Sequence, residues 1–497
     1  MNQNLVVQTL RNLSDEVYYV GGYVRDKFLG VVSKDVDIAA DADANIVYDA
    51  LKSAGLRPTV INRDLHVIQV KHDGIEYEIA RFRTERYPKG GSLRPEKVEF
   101  IDDIEHDLAR RDFTINSIAL HVDYTPEEWE KYVVDPFGGY GHLIERTISA
   151  VGYKDPYQNG LNRFSESPIR IMRGIRLVSQ LGFEIDEGTK AAMRDCAHML
   201  EDSRAVPYEM IGREFLRMLG GNRVNHAMTA MEQTRVLHHV FPEMAHLPDH
   251  EQNPKYHSLK AYDHVKEVVQ HAVDANESLP FRVAAFFHDI AKGIYKNDYY
   301  KFKYNVHDLP ENDYDHDVRG AEIAHDICLN KLLLGKNVAK YVATMVRHHM
   351  MRCDPKNDKS FIKFIRKVAA DCRDKEELKS VLSDLIRHKK YDQLAGKLAK
   401  DLTIIEDLKN AYDRNIDKTI VYKHEVAIGG HDVMKLIPNF DPKKYGKQIG
   451  EVLDLCLELV WHSPERNTKE QLEKYVAKVL NLPTGPETDE IVPEQSR

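Results

Sequence analysis

Cysteine is scarce: five in 497 residues, at 196, 328, 353, 372 and 456, odd in number and without a CxxC pair. That excludes a zinc ribbon and gives no support to a disulfide framework, so the cytoplasm is the expected compartment. Long apolar runs are missing, and nothing approaches the roughly 18 consecutive apolar residues of a membrane span. The N-terminal sequence MNQNLVVQTLRNLSDE lacks a basic start, an apolar block and a small-residue cleavage site, so no secretory signal is expected. Positive charge is not in excess either. With 70 Lys and Arg against 79 Asp and Glu the net charge is −9, so any polyanion must be held by local clusters. No repeat period or long low-complexity tract is visible. The 25 tyrosines form no alternating aromatic and basic stripe of the kind that lines a single-strand channel.

What remains is a globular composition, 42% hydrophobic and 30% charged. At roughly 150 residues per domain the length predicts about three domains. Residues 1–145 alternate short apolar runs with turns and helical stretches. Strands are expected at Val17–Val20, Val36–Ala39, Val67–Lys71, Ile75–Arg81 and Val98–Ile101, and helices at Ile46–Ala54 and Phe113–His121. The fold class is α/β (α+β) for this head, followed by mostly α-helical domains. A helical neck is expected over 146–250, a second helical domain over 251–395, a helical C-terminal region over 396–482 and a disordered tail over 483–497. The helices read as Ile169–Leu181, Thr189–Leu200, Tyr208–Leu219, Ala261–Val273, Phe281–Ala291, Ala321–Leu334, Val338–His348, Phe361–Ala370, Glu376–Arg387 and Glu451–Val460. A loop with His246, Pro248, His250, Pro254 and His257 separates the two helical blocks.

The head carries a first set of motifs. Tyr19-Val20-Gly21-Gly22-Tyr23-Val24-Arg25-Asp26 reads as a strand, a glycine pair and a helix start. Such a turn lets the backbone approach a phosphate, its N–H groups favour an anion, and Arg25 adds a guanidinium fork. An ordinary turn is the plain alternative. Thirteen residues after Gly22, Asp35 and Asp37 alternate with Val36 and therefore share one strand face. Neighbouring carboxylates repel unless a cation sits between them, and hard oxygen ligands suit Mg²⁺. Arg110-Arg111-Asp112-Phe113-Thr114-Ile115-Asn116 opens an apolar stretch, with Asp112 as a possible helix cap. In Glu166-Ser167-Pro168-Ile169-Arg170, Pro168 suits a first helical turn with Ser167 as its cap. Arg170, Arg173 and Arg176 then advance by three and cover one broad basic side of the helix.

GGxVRD, KDxD, RRDFTIN and FxExPxRxxRxxR, in this order over roughly the first 240 residues, resemble the tRNA nucleotidyltransferase/poly(A) polymerase family with the bacterial-type head. The linking segments Glu78-Ile79-Ala80-Arg81 and Asp135-Pro136-Phe137-Gly138-Gly139 strengthen the likeness. The resemblance implies that Asp35 and Asp37 are catalytic and hold Mg²⁺. It implies that Gly21, Gly22 and Arg25 hold the triphosphate, that Arg111 and Asp112 border the nucleotide, and that Arg170, Arg173 and Arg176 contact base and phosphate. The implied reaction is untemplated addition of CMP and AMP (CCA) to tRNA 3′ ends from CTP and ATP, with release of pyrophosphate. The family pattern at the neck is Glu-Asp-x-x-Arg, and here Ser167 replaces the Asp. An uncharged partner is expected to orient Arg170 less firmly and to alter C-versus-A selection.

A second set lies downstream. His288-Asp289 ends the apolar run Phe281-Arg282-Val283-Ala284-Ala285-Phe286-Phe287, where an Asp is costly unless paired. Together with His264, His316, His348 and Asp392 the pair resembles the HD phosphohydrolase superfamily. That likeness makes His264, His288, Asp289 and Asp392 ligands of a second divalent metal, with His316 and His348 for a further ion. His257, His349 and Asp384 are alternatives to His264, His348 and Asp392. A buried His-Asp hydrogen bond is the plain alternative to a metal centre. Basic clusters at Lys359, Lys363, Arg366 and Lys367, and at Arg387, His388, Lys389 and Lys390, suit either RNA or solvent. The rival functions are a poly(A) polymerase, a phosphohydrolase whose head only binds RNA, and a nucleotidyltransferase acting on another RNA. No membrane partner is expected.

Overall fold

The computed structural model describes residues 4–252, 259–304, 313–396, 402–438, 440 and 442–480. Pro254, His257 and the tail 483–497 lie outside the described residues. The chain forms two compact units, residues 1–347 with 394–397, and residues 348–393 with 398–497.

The first unit begins with a seven-stranded mixed sheet. Its strands are β1 (Val17–Val20), β2 (Asp35–Ala40), β3 (Thr59–Asn62), β4 (Val67–His72) and β5 (Ile75–Arg81); the hairpin β6 (Arg83–Arg86) and β7 (Lys97–Phe100) stands apart, and β8 (Ala119–His121) and β9 (Val133–Val134) complete the sheet. The spatial order is β3-β4-β5-β2-β1-β8-β9, antiparallel except where β2 runs parallel to β5. Alternation along β2 sends Val36, Ile38 and Ala40 into a core with Tyr77, Ile79, Val47, Leu51, Val6 and Leu10. Asp35 and Asp37 therefore face the other way.

Three local expectations change. Phe113–His121 is not a helix: Thr114–Asn116 is one 3₁₀ turn and β8 follows, pairing with β1 through Leu120 opposite Tyr19. The sheet claims this apolar run as the strand between β1 and β9, overriding its helical spacing. Ser167 does not cap the neck helix Ile169–Leu181; it ends the preceding helix Pro156–Glu166 in extended conformation, and Pro168 stands at the cap. The helix Leu279–Phe287 stops short, so His288 and Asp289 sit in the turn after it. A run of apolar residues signals burial and does not mark where a helix ends.

Four aromatic rings fix that turn. Phe215 from the helix Tyr208–Leu219 packs edge-on to Phe241 and Phe286 at 5.0 Å, and Phe241 meets Phe287 at 5.6 Å. All four rings are fully buried. Truncating one such ring costs about 3–5 kcal/mol. His288, one residue beyond Phe287, thus follows directly on a fully buried aromatic cluster.

The second unit is helical, with helices at Asp358–Ala369, Thr403–Asn415, Gly430–Leu436, Pro442–His462 and Lys469–Val479 and most of Lys375–Leu394. Val433, Val452, Cys456, Val460, Leu472 and Val476 form its C-terminal core.

Candidate functional site

A cleft of about 810 Å³ opens between the exposed face of the sheet and the neck helices, and every residue expected in the first set of motifs lines it. The turn after β1 places Gly21 at the first position of the helix Gly21–Phe28 with φ +68°. Only glycine adopts that conformation without cost, and space demands it as well. A Cβ at Gly21 would come to 2.9 Å from Asp37 Oδ2 and 3.2 Å from Arg111 Nη1.

Asp35 and Asp37 lie on one face of β2, and parallel pairing sets Glu76 beside Asp35 and Glu78 beside Asp37. Glu76 is tied to Lys71 at 2.7 Å, whereas Asp35, Asp37 and Glu78 form no ion pair among the described residues. Burial pushes the Asp37 carboxyl up, Asp35 adds to that, and Arg111 and Arg25 only partly oppose it. Burial and Asp37 likewise raise Glu78.

The cations of the cleft are already engaged. Asp107, on the helix Ile104–Ala109, is almost fully buried and pairs with Arg110 at 2.9 Å and Arg111 at 3.0 Å. The two guanidinium groups hold its carboxyl below the usual range against the effect of burial. Glu85 binds Arg83 at 2.8 Å and Arg110 at 3.1 Å, and Tyr87 donates to it at 2.8 Å. Arg25 pairs with Asp26 at 2.7 Å and donates to Asn116 Oδ1 at 2.8 Å, which ties the glycine turn to the RRDFTIN segment. Asp112 accepts from the Phe113 amide at 2.9 Å and faces Arg173 Nε at the same distance; Arg173 and Arg170 hold its carboxyl low in spite of burial.

The neck arginines are not a free basic face. Arg176 is paired with the buried Glu214 at 2.8 Å. Arg170 is buried, donates to Glu166 at 2.7 Å and to the carbonyls of Arg163 and Arg110 at 3.0 and 2.8 Å, and lies over the Tyr87 ring at 5.4 Å. Its orientation therefore does not depend on Ser167, contrary to the expectation from the missing Asp. Arg213 and Arg217, at the outer end, pair with Glu209 and Glu214. Each arginine lining the cleft has a carboxylate partner, while Asp35, Asp37 and Glu78 on the sheet form no ion pair among the described residues. The donor set of hard oxygens on one face fits Mg²⁺.

Sequence reasoning passed over Glu78, Asp107, Asn116, Tyr87 and Glu214. Asn116 stood inside a quoted motif and Glu78 inside a linking segment. Glu214 belonged to a helix with no distinguishing pattern, and only its position across from Arg176 reveals it.

The histidine-aspartate centre of the first unit gathers around Asp289, which is 1% exposed. His288 Nε2 lies 3.2 Å, His316 Nε2 3.4 Å and His264 Nε2 4.0 Å from its carboxylate oxygens. Lys292 approaches at 2.8 Å and donates to Gln252 at 2.7 Å. His288 and Lys292 hold Asp289 well below the carboxylate range, outweighing burial. His264 and His288 present ring nitrogens within 4.8 Å of each other, and imidazole with carboxylate is a donor set that fits a divalent transition metal. Asp392 and His348 lie on the second unit, where Asp392 pairs with Lys389 at 2.9 Å and His348 with Asp371 at 2.8 Å. The alternative Asp384 is bonded to Arg387, and His349 packs against the His388 ring.

Comparison with known proteins finds three family models along the chain. Residues 17–149 match the poly A polymerase head domain, 182–247 the probable RNA and SrmB-binding site of polymerase A, and 261–398 the HD domain. The CCA-adding enzyme of Geobacillus sp. (strain WCH70) is 36% identical over 229 residues, covering 46% of this chain and 52% of that protein. The CCA-adding enzyme of Bacillus pumilus (strain SAFR-032) is 27% identical over 476 residues, 95% of each chain. The chain thus spans about half the length of the first curated relatives it matches, and nearly all of a more distant one. Among solved structures, the Bacillus stearothermophilus CCA-adding enzyme in complex with CTP shares the fold, with a TM-score of 0.60 at 21% identity and 96% coverage of both chains. An apo form of a CCA-adding enzyme aligns at 0.58 and 18% identity.

Proposed function

We propose that this chain, a poly A polymerase head domain joined to an RNA-binding module and an HD domain and similar along its length to CCA-adding enzymes, adds CMP and AMP to tRNA 3′ ends without a template. The observation that carries the reading is the charge arrangement of the cleft. Asp35, Asp37 and Glu78 share the sheet face without a cation, opposite arginines whose charges are already matched.

Asp35 and Asp37 would hold Mg²⁺, which when bound stabilises charge developing on the α-phosphate and lowers the pKa of the attacking 3′-hydroxyl. Gly21 and Gly22 bring the start of the helix Gly21–Phe28 close enough for its N–H groups to face phosphate oxygens. Arg25 and Arg111, fixed by Asn116 and Asp107, keep N–H groups beyond those their partners use, and these aim at the β- and γ-phosphates. Asp112, by locking Arg173, and Glu166, by locking Arg170, preset the neck side of the pocket for the base. The 3′-oxygen bonds to the α-phosphorus, the bond to the bridging oxygen breaks, and diphosphate leaves; no protein atom becomes covalently attached. We assign residues 1–145 to nucleotidyl transfer, 146–250 to holding nucleotide and RNA, and 251–395 to the HD domain. We place the reaction in the cytoplasm, in keeping with five cysteines that form no disulfide among the described residues.

At the HD centre His264, His288, Asp289 and His316 would be the ligands that the first unit carries for a divalent metal. A metal bound there supplies an activated water for phosphoester hydrolysis.

The test is a set of tRNAs lacking one, two or three terminal nucleotides, each given single labelled triphosphates. Products that stop when the terminus is complete, using CTP and then ATP, support the reading. Continued AMP addition reassigns the chain as a poly(A) polymerase, and no incorporation with intact RNA binding overturns transfer altogether.

A further inference from the structure

We propose that the face of the helix Asp358–Ala369 carrying Lys359, Lys363 and Lys367 is a docking surface for the phosphodiester backbone of RNA. The proposal extends the tRNA reading but requires only that the chain bind an RNA.

Both basic clusters of the sequence fall on the second unit, and the structure treats them differently. In the cluster after Ile386, Arg387 is paired with Asp384 at 2.5 Å and with Ser383, Lys389 is paired with Asp392 at 2.9 Å, and His388 is buried. That cluster is largely neutralised from within. On the helix Asp358–Ala369, Phe361, Phe364, Ile365 and Val368 face the core, and Arg366 turns inward to the Trp461 ring at 5.1 Å and donates to the Trp461 carbonyl at 3.0 Å. Lys359, Lys363 and Lys367 remain exposed, and none has an ion pair among the described residues. Steps of four residues place their Cα atoms within about 80° of the helix circumference and spread them over about 12 Å. The one acid at the helix start, Asp358, is engaged by Arg414 at 3.0 Å and Asn415 at 2.9 Å and so does not offset them.

In a chain of net charge −9, three exposed lysines in line without carboxylates are a local reversal of sign. The arginines of the nucleotide cleft each have a carboxylate partner, so a stripe of cations with no ion pair among the described residues adds attraction for a long polyanion. Lysine suits this role: its ammonium is a point charge that takes any phosphate oxygen, in keeping with a sequence-independent contact.

The test compares the full-length triple variant Lys359→Gln/Lys363→Gln/Lys367→Gln with a control that removes the same charge from paired lysines. Lys379, Lys469 and Lys474 serve, with carboxylates at 2.9, 2.7 and 2.9 Å. Binding of a tRNA transcript lacking its last three nucleotides is measured from low to moderate salt. Each lost phosphate contact lowers the slope of log K against log salt by about 0.7–0.9. The expected result is a slope smaller by roughly 2 in the lysine-stripe variant, with affinity weakened about ten- to a hundredfold near 0.1 M salt, and little change in the control. Equal losses in both variants would mean a general field effect and overturn the docking surface, as would an unchanged slope in the stripe variant, which would leave the stripe to an acidic protein. Incorporation of label at saturating RNA should persist in the stripe variant. Its absence in the wild type would fail the transferase reading without touching the binding result.

Discussion

In the cleft between sheet and neck, each arginine has a carboxylate and three carboxylates form no ion pair among the described residues; around Asp289 the carboxylate is crowded by His288, His316, His264 and Lys292. The consequences run in opposite directions: Asp37 is raised and Asp289 is lowered, though both are buried. Burial alone does not set the sign; the neighbours do. In the proposed reaction the cleft's charge balance would be completed from outside, by a cation arriving with substrate phosphates. The HD centre has most of its compensation in place, in His288 and Lys292 beside Asp289.

The sharpest way to break this comparison is to remove one acid from each centre. Asp37→Asn should lower nucleotide incorporation on the order of 10³-fold or more, because charge stabilisation at the α-phosphate is lost where it is needed. Binding of Mn²⁺ or Ni²⁺ at the HD centre, followed by calorimetry, should be unchanged. Asp289→Asn should reverse the pattern, abolishing that binding while incorporation on tRNA persists. If either substitution silences both readouts, the centres are not independent and the contrast fails.

Asp107 tests the other half, the claim that the arginines of the cleft are held by buried acids. Asp107→Asn leaves Arg110 and Arg111 beside a neutral amide, and breaking a buried pair in this way costs about 3–5 kcal/mol. Denaturant unfolding of the variant measures it. The pH dependence has a definite sign. Because the folded carboxyl is depressed, its stabilisation is complete above the unfolded range near pH 4 and disappears as pH falls through the folded value. The variant should therefore lose less stability than the wild type on acidification below about pH 4.

Gly21 is a smaller perturbation of the same cleft. Gly21→Ala strains a left-handed residue by about 1–2 kcal/mol and presses a methyl group on Asp37 and Arg111. Incorporation should fall about ten- to a hundredfold, with little effect on metal uptake at the HD centre.

Much of this was legible from order and spacing. Turn geometry, strand alternation and helix spacing mark Gly21, Asp35, Asp37 and Arg170 only weakly one at a time, and it is the resemblance carried by four motifs in series that singles them out together with Arg111. The helices Ile169–Leu181 and Tyr208–Leu219 match their expected bounds because helix periodicity is a local rule. Glu78 and Glu214 were not legible. Glu78 matters because β5 runs beside β2 in parallel, a pairing across some forty intervening residues that no short window records. Glu214 matters because two helices cross. The Phe113–His121 segment was misread since an apolar run is claimed by whichever partner the fold supplies, here β1. Residues proposed to do chemistry are marked by type, order and spacing, whereas those that hold them in place are marked only by what they touch.

Ser167 gives the finest test of that distinction. It is buried in the cleft wall where the related pattern has an Asp, and the first expectation is that a hydroxyl leaves Arg170 loosely aimed. Yet Arg170 is gripped by Glu166, two backbone carbonyls and the Tyr87 ring, four contacts that owe nothing to residue 167. Restoring the acid with Ser167→Asp should then shift the CTP-to-ATP incorporation ratio by only a few-fold, a difference of about 1 kcal/mol or less, acting through direct contact with the base. A change well above tenfold would mean that the acid, not the existing set of anchors, decides how Arg170 is presented. An unchanged ratio would place residue 167 outside nucleotide selection. Competing incorporation of the two labelled triphosphates, in wild type and variant at equal concentrations, separates these outcomes.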